Sequence, residues 1–318
     1  MVLYVVKRLG VSVIVIAVIM VMLGLLVHLV PGDPARIILG PHATPQTIAL
    51  IRRDMGLDTP VYAQVWNFMW GAVHGSFGID PFTSTPVASE LGSPLVNTLV
   101  LALVSFVLSL AVGIPIGILA AVRQGGIADA IVRGASILLL STPPYVVGLL
   151  LLLLFAVNHH FFPALGIPGG VGGYIKALVL PAVSLAAFWW AYLARLVRSS
   201  MLEALGQPFV RTSRAYGLHE RAIRYRVVLK NALVPVTALT GLMIGYILAG
   251  TVYVEYIFER SGLGSLAVSA ITNRDWPVVR AAVLIYAAAF IVGNLLADIA
   301  YRFLDPRLRL EERADVFI

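Results

Sequence analysis

The chain contains no cysteine and very little charge. Among its 318 residues, 12% are Asp, Glu, Lys or Arg, whereas 59% are hydrophobic. A soluble domain has about a quarter of its residues charged and roughly half apolar. The lack of cysteine excludes disulfide bonds, thiolate metal sites and cysteine nucleophiles. The scarcity of charge, with a mean hydropathy of +0.92, indicates an integral membrane protein.

Residues that could convert energy are also scarce. None of the three lysines lies in the G-x-x-x-x-G-K-[ST] pattern that binds the phosphates of ATP. Ion-coupled carriers need ionisable groups inside their spans, and here the nearest candidates, His28 and Asp298, lie toward the ends of apolar runs. We therefore expect a partner to supply the energy for any transport. A channel or carrier that works alone is the less favoured alternative.

The chain also offers little for catalysis, metal binding or nucleic acid. No paired Asp, and no Ser with His or Lys, is placed to face the interior of a span, as an intramembrane enzyme would require. The adjacent His159 and His160 stand at the end of a span, which favours an interfacial position over a metal site. The net charge of +7 comes from basic residues near span ends, so we expect no binding of nucleic acid. From the missing residue patterns we expect no catalytic, cofactor-binding or metal-binding residues.

Six apolar runs are long enough to cross a bilayer, which takes about 20 residues in a helix. The first is longer than the roughly 7–15 residues of a signal peptide, so we expect an uncleaved span. The third is broken at Thr142-Pro143-Pro144, and Gly113 and Gly117 in the second favour close helix packing. The runs are Leu9–Val30, Leu95–Val122, Ile131–Val157, Ala177–Val197, Ala232–Tyr253 and Val278–Ala300.

The sequence therefore predicts an all-α polytopic membrane protein of six transmembrane helices. Residues 1–30 form the N-terminus and first span, 31–94 an external segment, 95–303 the core and 304–318 a tail. Two helices are expected in 31–94, one from Thr44-Pro45 to Gly56 and one from Asp58-Thr59-Pro60 to about His74. Sixteen Lys and Arg residues fall on one side of the spans and seven on the other, which predicts that both termini are cytoplasmic.

One polar stretch, residues 205–231, interrupts the apolar sequence and is called the basic segment below. Pro208 can start a helix at its first turn, and Gly217 can end that helix in the left-handed conformation. A second helical stretch is expected from about His219 to Asn231. The small residues Thr212, Ser213 and Ala215 suit a helix that fits a groove on another protein. The basic residues here are Arg211, Arg214, Arg221, Arg224, Arg226 and Lys230, against the single acid Glu220.

The basic segment resembles the cytoplasmic coupling loop of ABC-importer permeases, and most closely that of B-type dipeptide/oligopeptide permeases. The resemblance rests on Arg-Thr-Ser-Arg-Ala-Tyr-Gly-Leu at 211–218 and Lys-Asn-Ala-Leu-Val-Pro at 230–235. Arg211, Thr212 and Ser213 depart from the Glu-Ala-Ala of importers at large, and His219 replaces a frequent Ser. Further motifs of this family stand in order at 31–34, 55–60, 75–78, 254–264, 273–278 and 305–309.

That resemblance implies the type I ABC-importer permease fold in a bacterial inner membrane. The expected partners are a second homologous permease, two ATP-binding subunits, an extracytoplasmic substrate-binding protein and membrane lipid. ATP and Mg²⁺ would belong to the ATP-binding subunits. The implied cargo is a dipeptide or oligopeptide, with glutathione, a nickel complex or haem as alternatives. The residues implied in ATPase coupling are Arg211, Thr212, Ser213, Arg214, Ala215, Gly217 and Leu218.

Two weaker groups of site residues remain open. The resemblance places Glu255, Phe258, Gly262 and Gly264 near an external gate. The residues alone favour a solvated face for Glu255 with its neighbours Glu259 and Arg260. Three aromatic residues of the fourth span either line a pathway or serve in packing and at the membrane interface; these are Trp189, Trp190 and Tyr192.

Overall fold

The computed structural model of the chain describes residues 2–29, 44–54, 58–164, 166 and 169–304. Over these residues the chain is helical, apart from its connections and one isolated antiparallel bridge between Ile79 and Pro86. In chain order the helices are α1 (Val2–Leu29), α2 (Pro45–Asp54), α3 (Val61–Val73), α4 (Val87–Val122), α5 (Ile127–Ser141), α6 (Pro144–Leu151, continued by a π-helix at Leu152–Asn158), α7 (Gly170–Leu205), α8 (Pro208–Ala215), α9 (Glu220–Ala222, continued by a π-helix at Ile223–Val228), α10 (Leu229–Ala232), α11 (Val234–Ile257), α12 (Leu263–Asn273) and α13 (Trp276–Leu304).

The long helices fall where the apolar runs predict spans. In the described residues, α4, α7, α11 and α13 are long and apolar enough to cross a membrane. The pair α5 and α6 makes a fifth candidate that bends by 105° between Ser141 and Pro144, so the predicted break is confirmed. The apolar part of α1 runs over Gly10–Leu25. The all-helical membrane class is confirmed, and the count of six spans stays a prediction.

The described chain forms two compact units. One, called the first unit, combines Met1–Thr98 with Ser261–Ile291, and the second unit combines Leu99–Arg260 with Val292–Ile318. The core of the first unit includes Val87, Leu91, Leu263, Trp276 and Val279. Its helices α2 and α3 match the two helices predicted within residues 31–94.

Close packing of α4 on α7 holds the second unit together. A Cβ atom on Gly117 would lie 2.7 Å from the carbonyl oxygen of Ala194 and 2.8 Å from the Cβ of Val197. A Cβ on Gly113 would lie 2.9 Å from the Cβ of Leu193. Only glycine allows the two helices to approach so closely, which confirms the packing role predicted for this pair.

An ion pair fastens the start of α5 to α7 in the second unit. The Nε and Nη2 atoms of Arg198 donate to the two carboxylate oxygens of Asp129 at 2.5 and 2.9 Å. The N–H of Gly125 donates to the same carboxylate at 3.0 Å. Asp129 is buried, so this bidentate pair with its additional hydrogen bond compensates a charge removed from solvent.

A second polar contact lies in the first unit, between two buried carboxyl groups. Asp275 caps α13, because its Oδ1 accepts a hydrogen bond from the N–H of Val278 at 3.3 Å. Asp80 accepts hydrogen bonds from the N–H of Phe82 and the hydroxyl of Thr83, both at 2.7 Å. The two carboxyl groups lie close enough to influence each other's pKa. Burial, together with the charge of Asp80, raises the pKa of Asp275 to about 7.

Candidate functional site

The helix α8 of the basic segment is anchored to the second unit by one side chain. Val210 is fully buried, and it belongs to the same core cluster as Met201 and Ala204 of α7. Ile223 and Val228 of the following π-helix belong to the same cluster. Because α8 makes its only buried side-chain contact through Val210, its opposite face remains exposed.

Gly217 ends α8 as predicted. Its φ is +74°, in the left-handed region. The N–H of Gly217 donates to the carbonyl of Arg214 at 2.9 Å, and the N–H of Leu218 donates to that of Ser213 at 3.2 Å. These two bonds form a Schellman motif, which satisfies carbonyls that the end of a helix would leave unpaired. The turn then reverses the chain within a few residues.

The predicted helical stretch after His219 is present, with one unpredicted feature. The Nδ1 atom of His219 accepts a hydrogen bond from the N–H of Arg221 at 3.2 Å, so His219 caps α9 at the position where the resembling permeases often have Ser. The π-helix Ile223–Val228 follows directly. Its wider turn lets Ile223 and Val228, five residues apart, both point into the core, where both are fully buried.

Arg214 differs from its predicted state. The sequence suggests that Arg214 is available for acidic groups of a partner, but its guanidinium already binds Glu220, with Nε and Oε1 2.6 Å apart. The turn at Gly217 brings α9 back beside α8 and so places Glu220 against Arg214. The hydrogen bond from Arg214 lowers the pKa of Glu220 below its usual value. Arg211 is exposed and has no ion-pair partner in the described part of the chain.

The exposed face of α8 is small and internally satisfied. Thr212 and Ala215 are exposed, and Ser213 is half-buried. The hydroxyl of Thr212 donates to the carbonyl of Pro208 at 3.3 Å, and that of Ser213 donates to the carbonyl of Phe209 at 2.8 Å. A partner could therefore cover this face without leaving a hydroxyl donor unpaired.

Sequence reasoning overlooked the aromatic residue at the end of this face. Tyr216 is 83% exposed and stands directly before Gly217, beside the exposed Leu218. An aromatic residue inside an otherwise polar, basic stretch is the signal that could have identified it. An aromatic ring with so much exposed surface offers contact area to another protein.

The residues proposed for an external gate are buried in the described structure. Glu255 is 1% exposed, Arg260 is 4% exposed, and Phe258 lies in an apolar cluster with Val254 and Leu185. A solvated face is therefore wrong for Glu255, which lies on the buried side of α11 with Thr251 and Val254, and for Arg260. Glu259 is exposed, as expected for a solvated residue. Arg260 donates from Nη1 to the carbonyl of Ala177 at 3.2 Å.

The glycines of the same group serve the start of α12. The N–H of Gly262 donates to the hydroxyl of Ser265 at 3.0 Å, and Gly264 is buried. These contacts account for two small residues at a helix start. A gating role for Glu255, Phe258, Gly262 and Gly264 stays a prediction.

The three aromatic residues proposed for a pathway take different positions in the second unit. Trp189 is 5% exposed and packs in the core. Trp190 donates from Nε1 to the carbonyl of Leu108 at 3.0 Å. Tyr192 is exposed, and its ring centroid lies 5.7 Å from that of Trp189. Of the three side chains, Tyr192 is the most exposed and Trp189 is buried, and a pathway role for them stays a prediction.

Some sequence candidates fall outside the residues that the structure describes. These are the side chains of His28 and Asp298, the motifs at 31–34 and 305–309, and residues 55–57 of the motif at 55–60, with the helix end predicted at Gly56. Over the described residues, no three His, Asp or Glu side chains are grouped as metal ligands.

The chain matches two family descriptions that together span most of its length. Residues 113–310 match the family "Binding-protein-dependent transport system inner membrane component". Residues 1–86 match the N-terminal family of the same transport systems. The first match alone covers more than half of the chain and contains the entire basic segment.

Curated relatives extend over nearly the whole chain. A protein of Sinorhizobium fredii, named probable peptide ABC transporter permease protein y4tP, is 36% identical over 309 residues, covering 96% of this chain and 99% of the relative. The glutathione transport system permease protein GsiC of Escherichia coli K12 is 36% identical over 306 residues, covering 96% of this chain and 98% of the relative.

A solved structure agrees in fold. An inward-facing conformation of the MetNI methionine ABC transporter matches with a TM-score of 0.53 at 18% identity, covering 75% of this chain and 98% of the matched chain. ABC permeases work with separate subunits that hydrolyse ATP and with a substrate-binding protein, so this chain is not itself an enzyme. The chain belongs to the family of binding-protein-dependent transport system inner membrane components, and is a multi-pass permease subunit of an ABC importer.

Proposed function

We propose that the chain forms one half of the membrane pathway of a bacterial peptide importer. It pairs with a second, homologous permease and two ATP-binding subunits, and it receives its cargo from an extracytoplasmic binding protein. The peptide and glutathione permeases at 36% identity support this assignment. Glutathione is itself a modified tripeptide, so both relatives favour short peptide-like cargo.

The observation that carries this proposal is the geometry of the basic segment. The helix α8 presents the exposed Thr212 and Ala215 on a compact, Gly-closed helix, while Val210 fixes its other face in the core of the second unit. An ATP-binding subunit that receives α8 in a groove would push on a rigid part of the permease, and not on a loose loop.

The same core cluster connects α8 to two of the spans, so it can transmit a displacement of α8 to them. Val210 shares it with Val197 and Met201 of α7 and with Val236 and Met243 of α11. Close-packed interiors transmit displacement because they hold few voids. Movement of α8 on ATP binding would therefore shift α7 and α11 together, which is the rigid-body motion that alternating access requires.

In this importer the chain has a defined orientation in the membrane, and the cofactors bind to its partner subunits. The basic segment and both termini face the cytoplasm, supported by the excess of Lys and Arg on that side. ATP and Mg²⁺ bind the ATP-binding subunits, and this chain carries no cofactor of its own. The external residues 31–94 serve as a platform for the binding protein.

A second candidate cargo is glutathione, favoured by the similarity to its permease in E. coli. The complete transporter in proteoliposomes decides between the two. Uptake of a labelled dipeptide that needs both ATP and the binding protein supports the proposal. Uptake of glutathione alone supports the second candidate. If neither compound is taken up, a nickel complex and haem are tested next. The cargo is then the compound that stimulates ATP hydrolysis.

A further inference from the structure

The second unit exposes two very different helix faces. Along α4 from Leu99 to its end, the exposed side chains follow one stripe and are all apolar, with Leu103 62% and Val107 54% exposed. Such a stripe is what a lipid-facing helix presents. Along α11 the exposed stripe instead carries Leu242, Tyr246 and Tyr253, so the face combines apolar and polar groups.

Tyr246 stands at the middle of its span. It is the thirteenth residue of the 24-residue helix α11, so about 17 Å of helix extends on either side of it. A hydrocarbon core is about 30 Å thick, and tyrosines that anchor a helix at the membrane interface lie near its ends. Tyr253 fits that interfacial place, whereas Tyr246 does not.

A mid-span aromatic patch surrounds Tyr246. Its ring centroid lies 6.3 Å from that of Trp189, which lies 5.7 Å from Tyr192, which in turn lies 6.4 Å from Phe188. Trp189 forms the buried base of the patch, while Tyr246 and Tyr192 are 64% and 37% exposed. The two tyrosines thus project from one aromatic base on two neighbouring helices.

The hydroxyl groups of this patch need a polar neighbour. Within the described residues, neither Tyr246 nor Tyr192 makes a hydrogen bond through its hydroxyl. Hydrocarbon offers no hydrogen-bond partner, so a phenol exposed to lipid at this depth is unfavourable. Water or a polar solute in front of the patch would give both hydroxyls a hydrogen-bond partner. The apolar side chains along α4 have no groups that need such a partner.

We infer that Tyr246 and Tyr192, on the base of Trp189, line the water-containing path of the cargo at mid-membrane. This inference rests on the proposed function. The rings offer apolar and stacking area, and the hydroxyls offer hydrogen bonds. That combination suits short peptides, whose side chains vary while their backbone amides do not.

The test uses the complete transporter in proteoliposomes, since the chain has no native cysteine. Tyr246→Cys and Tyr192→Cys are treated with a small anionic methanethiosulfonate, which reacts with thiolates in water. Leu103→Cys is the matched control, because Leu103 is as exposed as Tyr246 but lies on the apolar stripe. We expect modification at least about ten times faster at 246 and 192 than at 103, and loss of uptake after modification.

Two results would overturn the inference. Cysteines at 246 and 192 that react as slowly as that at 103 would mean that lipid or a packed subunit covers the patch. Rapid modification that leaves uptake intact would mean that the patch contacts water away from the path. Either result stands apart from the proposed function, which fails only if the unmodified transporter shows no ATP-driven, binding-protein-dependent uptake.

Discussion

Gly217 ends α8 at a position that has room for a side chain but an unsuitable backbone. No atom lies within 4 Å of a Cβ built on this residue. Its φ of +74° is rarely adopted by any other residue, and least of all by a β-branched one. The requirement for glycine therefore comes from the turn itself and not from crowding.

Substitution of Gly217 by Val should uncouple the transporter. We expect a local strain of about 1–2 kcal/mol that loosens the turn and shifts α8. Uptake and cargo-stimulated ATP hydrolysis should fall together, while the amount of protein inserted in the membrane stays unchanged. Radiolabelled uptake and phosphate release in proteoliposomes measure the two activities.

The chain contains a matched control for this substitution. Gly75 ends α3 in the same motif, with a φ of +78°, the same pair of hydrogen bonds and open space around its Cβ position. Gly75→Val imposes similar strain in the external segment, away from α8, so it should leave the attachment of the ATP-binding subunits intact whatever it does to cargo delivery. Equal loss of the ATP-binding subunits in the two variants would count against a special role for Gly217.

Asp275 should make the stability of the first unit depend on pH. An aspartate in an unfolded chain has a pKa of about 3.9, and burial raises the pKa of Asp275 to about 7. Between these values the folded state holds a proton that the unfolded state has lost. This stabilisation is therefore complete below about pH 4 and is lost as the pH rises through 7.

The measurement compares melting temperatures of the purified protein at pH 5 and pH 8. Asp275→Asn keeps a hydrogen-bonding cap for α13 but cannot ionise. We expect Asp275→Asn to melt close to the wild type at pH 5 and several degrees above it at pH 8. A difference between the two proteins that stays constant across this range would contradict the raised pKa of Asp275.

A residue's role can be predicted from the sequence when it depends on that residue's own backbone, and not when it depends on contacts with distant parts of the chain. Gly217 and Pro208 act through their own backbone, so their roles are readable from the sequence. The pairing of Arg214 with Glu220 needs the turn between them, and the burial of Glu255 and Arg260 needs helices far away in the chain. No pattern near these residues records such contacts.

At the scale of elements, the ion pair between Asp129 and Arg198 joins α5 to α7. Arg198→Ala leaves a buried carboxylate without its bidentate partner, which is strongly destabilising. We expect a lower melting temperature and a weaker attachment of α5, detectable as faster proteolysis in the turn at residues 123–126. Exchanging the two residues, as Asp129→Arg with Arg198→Asp, should restore part of the loss.

Arg133→Ala is the control for this prediction. Arg133 lies 3.8 Å from the same carboxylate, but its side chain is 59% exposed. Exposed ion pairs contribute little to stability, so this variant should melt near the wild type. Equal losses from Arg133→Ala and Arg198→Ala would show that net charge, and not the buried pair, stabilises this contact.

Long apolar helices and their breaks are the elements that sequence predicts best. The runs of apolar residues place α4, α7 and α11, and Pro143-Pro144 places the 105° bend, because length and backbone chemistry suffice for both. The π-helix Ile223–Val228 was not predicted. Its apolar residues recur at an interval of five, which neither the helical nor the strand period matches.

At the scale of the whole molecule, the orientation rests on the distribution of Lys and Arg and is directly testable. Single cysteines at Thr47, Gly172 and Tyr216 occupy exposed positions in a chain without native cysteine. In intact right-side-out cells, an impermeant maleimide should label positions 47 and 172 only. Position 216 should react once the membrane is permeabilised, and its labelling in sealed cells would reverse the proposed orientation.

The central claim is that α8 transmits the action of the ATP-binding subunits through a small exposed face. Ala215→Trp adds bulk to that face, and overpacking a close contact costs about 1–3 kcal/mol. Arg214→Ala removes only an exposed pair within the chain. Ala49→Trp, on the exposed face of α2, is the control for bulk alone.

Retention of the ATP-binding subunits during purification of each variant tests this claim most directly. We expect Ala215→Trp to weaken their binding by roughly 5- to 150-fold, as that energy range implies, and so to release them. Arg214→Ala should retain most of them, and Ala49→Trp should retain all of them. An Ala215→Trp transporter that keeps its full complement of ATP-binding subunits and its uptake would contradict the docking of α8.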